Sequence, residues 1–209
     1  MNQASIKRGL NQIAKSDAHI KQAIKHYGYP KPRIQAAGFE TLINTIISQQ
    51  LSAKAAESIS LRVRTCLGDI TPECVIKKRA SSLRKAGLSE RKVTYMKGLA
   101  KAIHKGEFDP ENLALMSNSE AIQSITKLHG FGEWSAEIYL MFSLGRKDIF
   151  PANDLALQIA LAKLKDLDAK PTPKFARELV CHWAPWRSAG SLFLWHYYKL
   201  SKQTQKDKK

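Results

Sequence analysis

Apolar positions recur along this chain with a period near 3.6 rather than 2, the spacing of helices and not of half-buried strands. The clearest stripe is Phe39-Glu-Thr-Leu-Ile-Asn-Thr-Ile-Ile-Ser-Gln-Gln-Leu51, with apolar residues at 39, 42, 43, 46, 47 and 51 on one helical face. Start and stop signals frame such segments. Thr71-Pro72, Asp109-Pro110 and Thr172-Pro173 each place a capping side chain before a proline suited to a first helical turn. Ser117-Asn-Ser-Glu120 is a capping box ahead of AIQSITKL. Ser89 caps ERKVTYMKGLAKAIHKG, which Gly106 ends, and Ala86-Gly87 closes the helix before it. No stretch alternates apolar and polar residues between turn signals. The pattern predicts an all-α fold of about ten helices joined by short loops.

Two segments interrupt it. Gly28-Tyr-Pro-Lys-Pro-Arg33 cannot be helical, and Gly145-Arg-Lys-Asp-Ile-Phe-Pro151 is a second break. The polar tail from Lys202 is expected to fray. Composition adds a core and a charge. Hydrophobic residues make up 44% of the 209, and 34 Lys+Arg against 18 Asp+Glu give +16. Removing the tail, with four lysines and one aspartate, leaves +13, so the basic character belongs to the folded body. Charge of this size opposes compaction and serves to attract a polyanion. No apolar run approaches the ~20 residues that span a bilayer, and the N-terminal residues show no signal-peptide core. Nucleic acid is therefore favoured over a membrane. Cys66, Cys74 and Cys181 are an odd, widely spaced set, expected as thiols in a reducing compartment. They are too few for a four-cysteine iron–sulfur cluster, and the six histidines show no metal-ligand spacing.

Leu128-His-Gly130-Phe-Gly132-Glu-Trp134-Ser-Ala136 lies between helical segments near 119–128 and 133–143. Two glycines one residue apart permit a left-handed turn and close approach of another backbone. The amides at the start of the second helix favour an anion such as phosphate, contacted without reading sequence. A plain αα-turn that uses glycine for geometry fits the same residues. Some twenty residues on comes Asp148-Ile-Phe-Pro151-Ala-Asn-Asp154-Leu-Ala-Leu-Gln158.

Together these two segments resemble the helix-hairpin-helix/Gly-Pro-Asp superfamily of DNA base-excision glycosylases. FETLINTIISQQLSAKAA (39–56) looks like that family's first core helix and DNA-inserting turn. Trp183-Ala-Pro185-Trp186-Arg187-Ser188 with Trp195 looks like the C-terminal segment of its alkyladenine branch, the AlkA type. The resemblance runs from about residue 36 to 198. It implies two helical subdomains with a cleft between them. One is 37–145, with the helix-hairpin-helix at about 119–143; the other joins 1–36 to 146–209 and carries the catalytic aspartate. The compact, yeast-type version is expected, without the N-terminal β-rich domain of some relatives.

The resemblance makes Asp154 the catalytic carboxylate. Its bland reading is a helix-start acid, with Asn153 beside it an equally good cap. Trp134 stands where members that form a Schiff base carry lysine, which implies hydrolysis without strand cleavage. Trp134 and Trp195 become base-pocket residues, whose faces suit a positively charged alkylated purine; Trp183 and Trp186 are read as core. Gln50 or Leu51 is the wedge that fills the gap left by a flipped base, although Leu51 also falls on the apolar stripe. The hairpin Gly130, Phe131, Gly132 and Glu133 is expected on the DNA backbone. Arg91, Lys92, Lys97 and Arg187 are candidate phosphate contacts. A monovalent cation, Na+ or K+, is expected at the carbonyls of Leu128, Gly130 and Phe131, with no catalytic metal and no iron–sulfur cluster. The implied partner is double-stranded DNA, bound by a monomer in the cytoplasm (nucleoid) or nucleus, with no membrane role. Ile138 and Leu155 stand where the AlkA pattern has tyrosines, and His129 where the hairpin usually has proline. The less aromatic pocket keeps deaminated and etheno bases (hypoxanthine, uracil, ethenoadenine) open as substrates. A non-enzymatic DNA-binding module is the remaining alternative.

Overall fold

A computed structural model describes residues 1–206, with side chains through Gln203. Twelve α-helices follow one another among the described residues, with no strand. They are α1 (Gln3–Ser16), α2 (Ala18–Tyr27), α3 (Phe39–Ser48), α4 (Ala53–Leu67), α5 (Pro72–Lys77) and α6 (Ala80–Lys85). Then come α7 (Glu90–His104), α8 (Asn118–Thr126), α9 (Glu133–Phe142), α10 (Leu155–Leu164), α11 (Pro173–Leu179) and α12 (Arg187–Lys206).

The chain forms two compact units, Gln35–Tyr139 and Met1–Ile34 with Leu140–Lys209. The second dividing point lies inside α9, ahead of the break at 145–151.

In the 35–139 unit, Leu42, Ile43, Ile46 and Ile47 of α3 are fully buried, with Val63, Leu83, Met96 and Ile125. The caps behave as their chemistry dictates. Thr71 accepts from the Cys74 amide, Ser89 from Lys92, and Ser117 with Glu120 forms the capping box. Asp109-Pro110 differs. Its carboxylate accepts from the Glu111 amide at 2.9 Å, a local turn that leads only to one 3-10 turn at Asn112–Ala114. Leu51 also departs from expectation. The helix ends at Ser48, and the left-handed backbone of Gln50 (φ 57°) takes Leu51 off the stripe, leaving it 38% exposed.

In the other unit, α1 packs against α2 and α12, and α12 against α10. Ile6, Leu10 and Ile13 of α1 meet a core that includes Leu157, Leu161, Phe193 and Leu194. Asp17 joins α1 to α2 and is buried. It caps α2 through the Ile20 amide (3.2 Å) and accepts from Lys165 Nζ (2.7 Å), Trp183 Nε1 (2.7 Å) and His182 Nε2 (3.1 Å). Trp183 is thus core, as read, but as a donor to this carboxylate rather than an apolar filler. Trp186 is half-buried, with Arg8 and Lys147 over its ring. The helix of α12 continues past the expected fraying point at Lys202 to Lys206; the rest of that tail lies outside the described residues.

Candidate active site and nucleic-acid interface

The residues singled out from the sequence fall into two clusters, one in each unit. In the 35–139 unit, the capping box of α8 and the start of α9 flank the turn at 127–132. Only one of its two glycines uses left-handed backbone. Gly130 has φ +97°, and a Cβ there would sit 2.4 Å from the Tyr95 ring, so conformation and space both demand glycine. Gly132 has an ordinary φ, and a Cβ would meet nothing within 4 Å; its effect is to leave that side of the turn open. His129 sets its ring edge-on to Tyr95, with centroids 4.9 Å apart. Phe131 is buried, and its amide closes the turn on the Leu128 carbonyl (3.1 Å). Its contribution to the hairpin is therefore to shape it from inside. Glu133 opens α9, whose first-turn amides and positive dipole end face out of the helix.

The turn after α3 joins the same cluster. Gln49 Nε2 donates to the Gly130 carbonyl at 2.8 Å, tying that turn to the hairpin. Gln50 is exposed. An open groove of about 400 Å³ runs here, lined by Gln49, Gln50, Arg91, Lys92, Tyr95 and Trp134. Trp134 is 41% exposed in it. Two of the carbonyls expected to hold a cation are already engaged, Leu128 by the Phe131 amide and Gly130 by Gln49. No group of three or more His, Cys, Asp or Glu that could hold a metal ion occurs among the described residues.

Three of the four basic residues expected at phosphates have structural partners instead. Lys92 Nζ donates to the carbonyls of Ile47 (2.7 Å) and Gln49 (2.8 Å), and Lys97 Nζ to that of Ile76 (3.3 Å). Arg187 grips Asp148 with two hydrogen bonds of 2.6 Å, which holds the Asp148 carboxyl below its ordinary range and raises the guanidinium's. Arg91 lines the hairpin groove.

In the other unit, Asp154 is the N-cap of α10. The structure gives that role to Asp154 and not to Asn153, so the carboxylate that the resemblance makes catalytic is also the helix cap. Its Oδ1 accepts from the Leu157 amide at 2.9 Å and from Trp195 Nε1 at 3.1 Å. Trp195 also packs its ring 5.8 Å from that of Phe142. The loop leading to Asp154 is fixed along its length. Ser188 Oγ donates to the Arg146 carbonyl (2.8 Å) and accepts from the Ile149 amide (3.0 Å). Arg177 donates to the Phe150 carbonyl (2.9 Å), and the buried Gln158 amide to that of Ala152 (2.6 Å). The Asp154 amide closes on Pro151 (2.9 Å). Ile138 is partly buried and Leu155, beside Asp154, is 58% exposed. Sequence reading missed Gln158 and Arg177, because a glutamine or arginine on a helix carries no mark of the carbonyl it will meet.

Trp195 thus donates to the carboxylate as well as packing against Phe142. Trp195→Phe keeps most of the ring and deletes the donor. The expected result is a roughly tenfold lower single-turnover rate with unchanged affinity for abasic duplex. If stacking on the base were its whole role, the relative rates on charged and neutral lesions would change instead.

Comparison with known proteins agrees with these motifs. The family model described as "HhH-GPD superfamily base excision DNA repair protein" matches residues 43–185. DNA-3-methyladenine glycosylase 1 of Schizosaccharomyces pombe is 32% identical over 94% of this chain and 92% of its own. Among solved structures, the DNA-3-methyladenine glycosidase of Bacillus halodurans superposes with a TM-score of 0.83 at 30% identity, covering 91% of this chain and 88% of that one. The S. pombe 3-methyladenine DNA glycosylase Mag1, solved in complex with abasic DNA, gives 0.80 at 30% identity, covering 93% and 97%. With the hairpin, the Pro151–Asp154 turn and a matched span of well over half its length, the chain belongs to the HhH-GPD superfamily of base-excision DNA repair proteins.

Proposed function

We propose that this protein is a monofunctional DNA glycosylase that removes purines alkylated at a ring nitrogen, of the 3-methyladenine and 7-methylguanine type, from duplex DNA and leaves an abasic site. The observation that carries the reading is Asp154, a carboxylate held by the Leu157 amide and Trp195 Nε1 at the mouth of α10, on a loop whose Arg146, Phe150 and Ala152 carbonyls are each held by a side chain. Cleaving an N-glycosidic bond builds positive charge on the sugar. A carboxylate that does not have to reorganise stabilises that charge and orients the attacking water. A purine alkylated at a ring nitrogen already carries positive charge and leaves readily, so a second acid is not required. Its charge also suits stacking on indole, worth ~1–2 kcal/mol when desolvated. Trp134 and Trp195 are assigned to that recognition.

The remaining assignments follow the same reading. The start of α9, with Gly130, Gly132 and Glu133, sits on the DNA backbone while the buried Phe131 shapes the turn beneath it, and Gln50, exposed on its strained turn, is the wedge in preference to Leu51. A monovalent cation would use the second lone pairs of the Leu128 and Gly130 carbonyls, together with Phe131, in a structural role. The protein works as a monomer on double-stranded DNA where the genome is kept. No helix among the described residues is long and apolar enough to cross a membrane. Deaminated and etheno bases form a second substrate class, favoured by the aliphatic Leu155 beside Asp154.

The test is product chemistry. On a duplex with a single 7-methylguanine, the protein is expected to leave sites cleaved only by alkali, and borohydride is expected to trap no protein–DNA adduct. Lys92, the lysine that lines the hairpin groove, is committed to two carbonyls rather than poised as a nucleophile. Nicking without alkali, or a trapped adduct, would overturn the monofunctional assignment.

A further inference from the structure

We infer that Lys92 is a positioning residue for DNA insertion, which holds the Gln49–Leu51 turn in the shape that lets Gln50 act as the wedge. The inference rests on the assignment of Gln50 as wedge. Its basis is a set of contacts within the 35–139 unit.

Helix α3 ends without a conventional stop. Its C-cap position is Gln49, and no glycine follows to take the left-handed conformation. Gln50 takes it instead, at φ 57°, a conformation that costs a side-chain-bearing residue energy and persists only where neighbours impose it. The last carbonyls of a helix lack partners within it and carry the negative end of its dipole. Lys92 supplies both missing terms. Its ammonium donates to Ile47 and Gln49 at 2.7 and 2.8 Å, bridging the final turn of the helix and the residue before the strained one. Partial burial of this ammonium lowers its pKa, a desolvation that its two carbonyl partners offset only in part. From the other side, Gln49 Nε2 holds the Gly130 carbonyl at 2.8 Å. The turn is thereby clipped to α7 by Lys92 and to the hairpin by Gln49. A wedge must resist being pushed back when it enters the base stack. A strained turn on an unsupported helix end would yield; this one is braced.

The rival role for Lys92 is a phosphate contact, and the two predict different kinetics. Lys92→Met keeps the aliphatic stem and removes the donors. The lesion probe is 7-methylguanine, either paired with cytosine or in an unpaired bubble that needs no insertion. We expect Lys92→Met to slow single-turnover release from the paired site at least tenfold and from the bubble less than twofold. The slope of log affinity against log salt stays at the wild-type value, and Lys92→Arg, which still reaches both carbonyls, recovers part of the loss. Equal slowing on both substrates, with a salt slope smaller by about 0.9, would make Lys92 a phosphate contact and overturn the inference. Equal slowing with a lower melting temperature and an unchanged slope would reduce it to fold maintenance and also overturn it. Gln50→Gly separates the underlying reading. A paired-site rate equal to wild type for this variant would overturn the Gln50 wedge itself. A slow Gln50→Gly beside a Lys92→Met of wild-type rate would overturn only the role given to Lys92.

Discussion

Asp154→Asn is expected to lower the rate of base release by roughly a hundred- to a thousandfold while leaving duplex affinity within twofold. The substitution is informative because so little else changes. Asparagine is as good an N-cap as aspartate. Its carbonyl oxygen can still accept from the Leu157 amide and from Trp195 Nε1, the two donors that Oδ1 now serves. Shape, cap and loop survive; the negative charge does not. A sugar passing through an oxocarbenium-like state loses the charge that stabilises it, and water loses its base. Single-turnover kinetics on methylated duplex, with binding measured on an abasic analogue, separate the two effects. A variant that released base at near wild-type rate would mean that Asp154 serves only as a cap.

The largest effect on stability is expected far from that chemistry, at Asp17. One buried carboxylate there meets Lys165, Trp183, His182 and the Ile20 amide. Asp17→Ala strips the cap from α2 and leaves a buried indole N–H and a largely buried ammonium without their acceptor. Removing one member of such a set costs about 3–5 kcal/mol, a drop in melting temperature of roughly 10 °C for a chain of this size. The pH dependence has a definite sign. Burial alone would raise the carboxyl, but the hydrogen bonds from Lys165, Trp183 and Ile20 outweigh it and lower it from 3.8 to about 2. A depressed folded-state value contributes stability that is complete above the unfolded value and lost as pH falls through the folded one. The gap in melting temperature between wild type and Asp17→Ala should therefore be full above about pH 4 and shrink toward pH 2. A gap independent of pH over that window would show that the charge contributes nothing and that only packing was lost.

What was legible in the sequence was local chemistry. The stripe 39–47, the capping box at Ser117 and the proline-led starts of α5 and α11 depend on neighbours within a few residues, and each stands in the structure. The left-handed turn was legible too, though only Gly130 takes that conformation. Pairings across long separations left no local trace. Asp17 draws no notice in the sequence, because Lys165 and Trp183, its partners, lie some 150 residues on. Lys92 and Arg187 read as spare positive charge, yet one holds helix-end carbonyls and the other Asp148. Net charge counts residues and says nothing of which ones a fold has already committed. Leu51 failed for the opposite reason: periodicity assumes the helix continues, and the left-handed step at Gln50 ends it.

Cleavage of the N-glycosidic bond of alkylated purines is what separates this chain from a protein that merely binds DNA. Chromatography of the bases freed from dimethyl-sulfate-treated duplex tests it most directly, with wild type and Asp154→Asn run side by side. Wild type is expected to release free 3-methyladenine and 7-methylguanine, with one abasic site in the strand for each base released, and the variant to lose a hundredfold or more of that activity. Tight duplex binding by wild type with no base released would contradict that expectation.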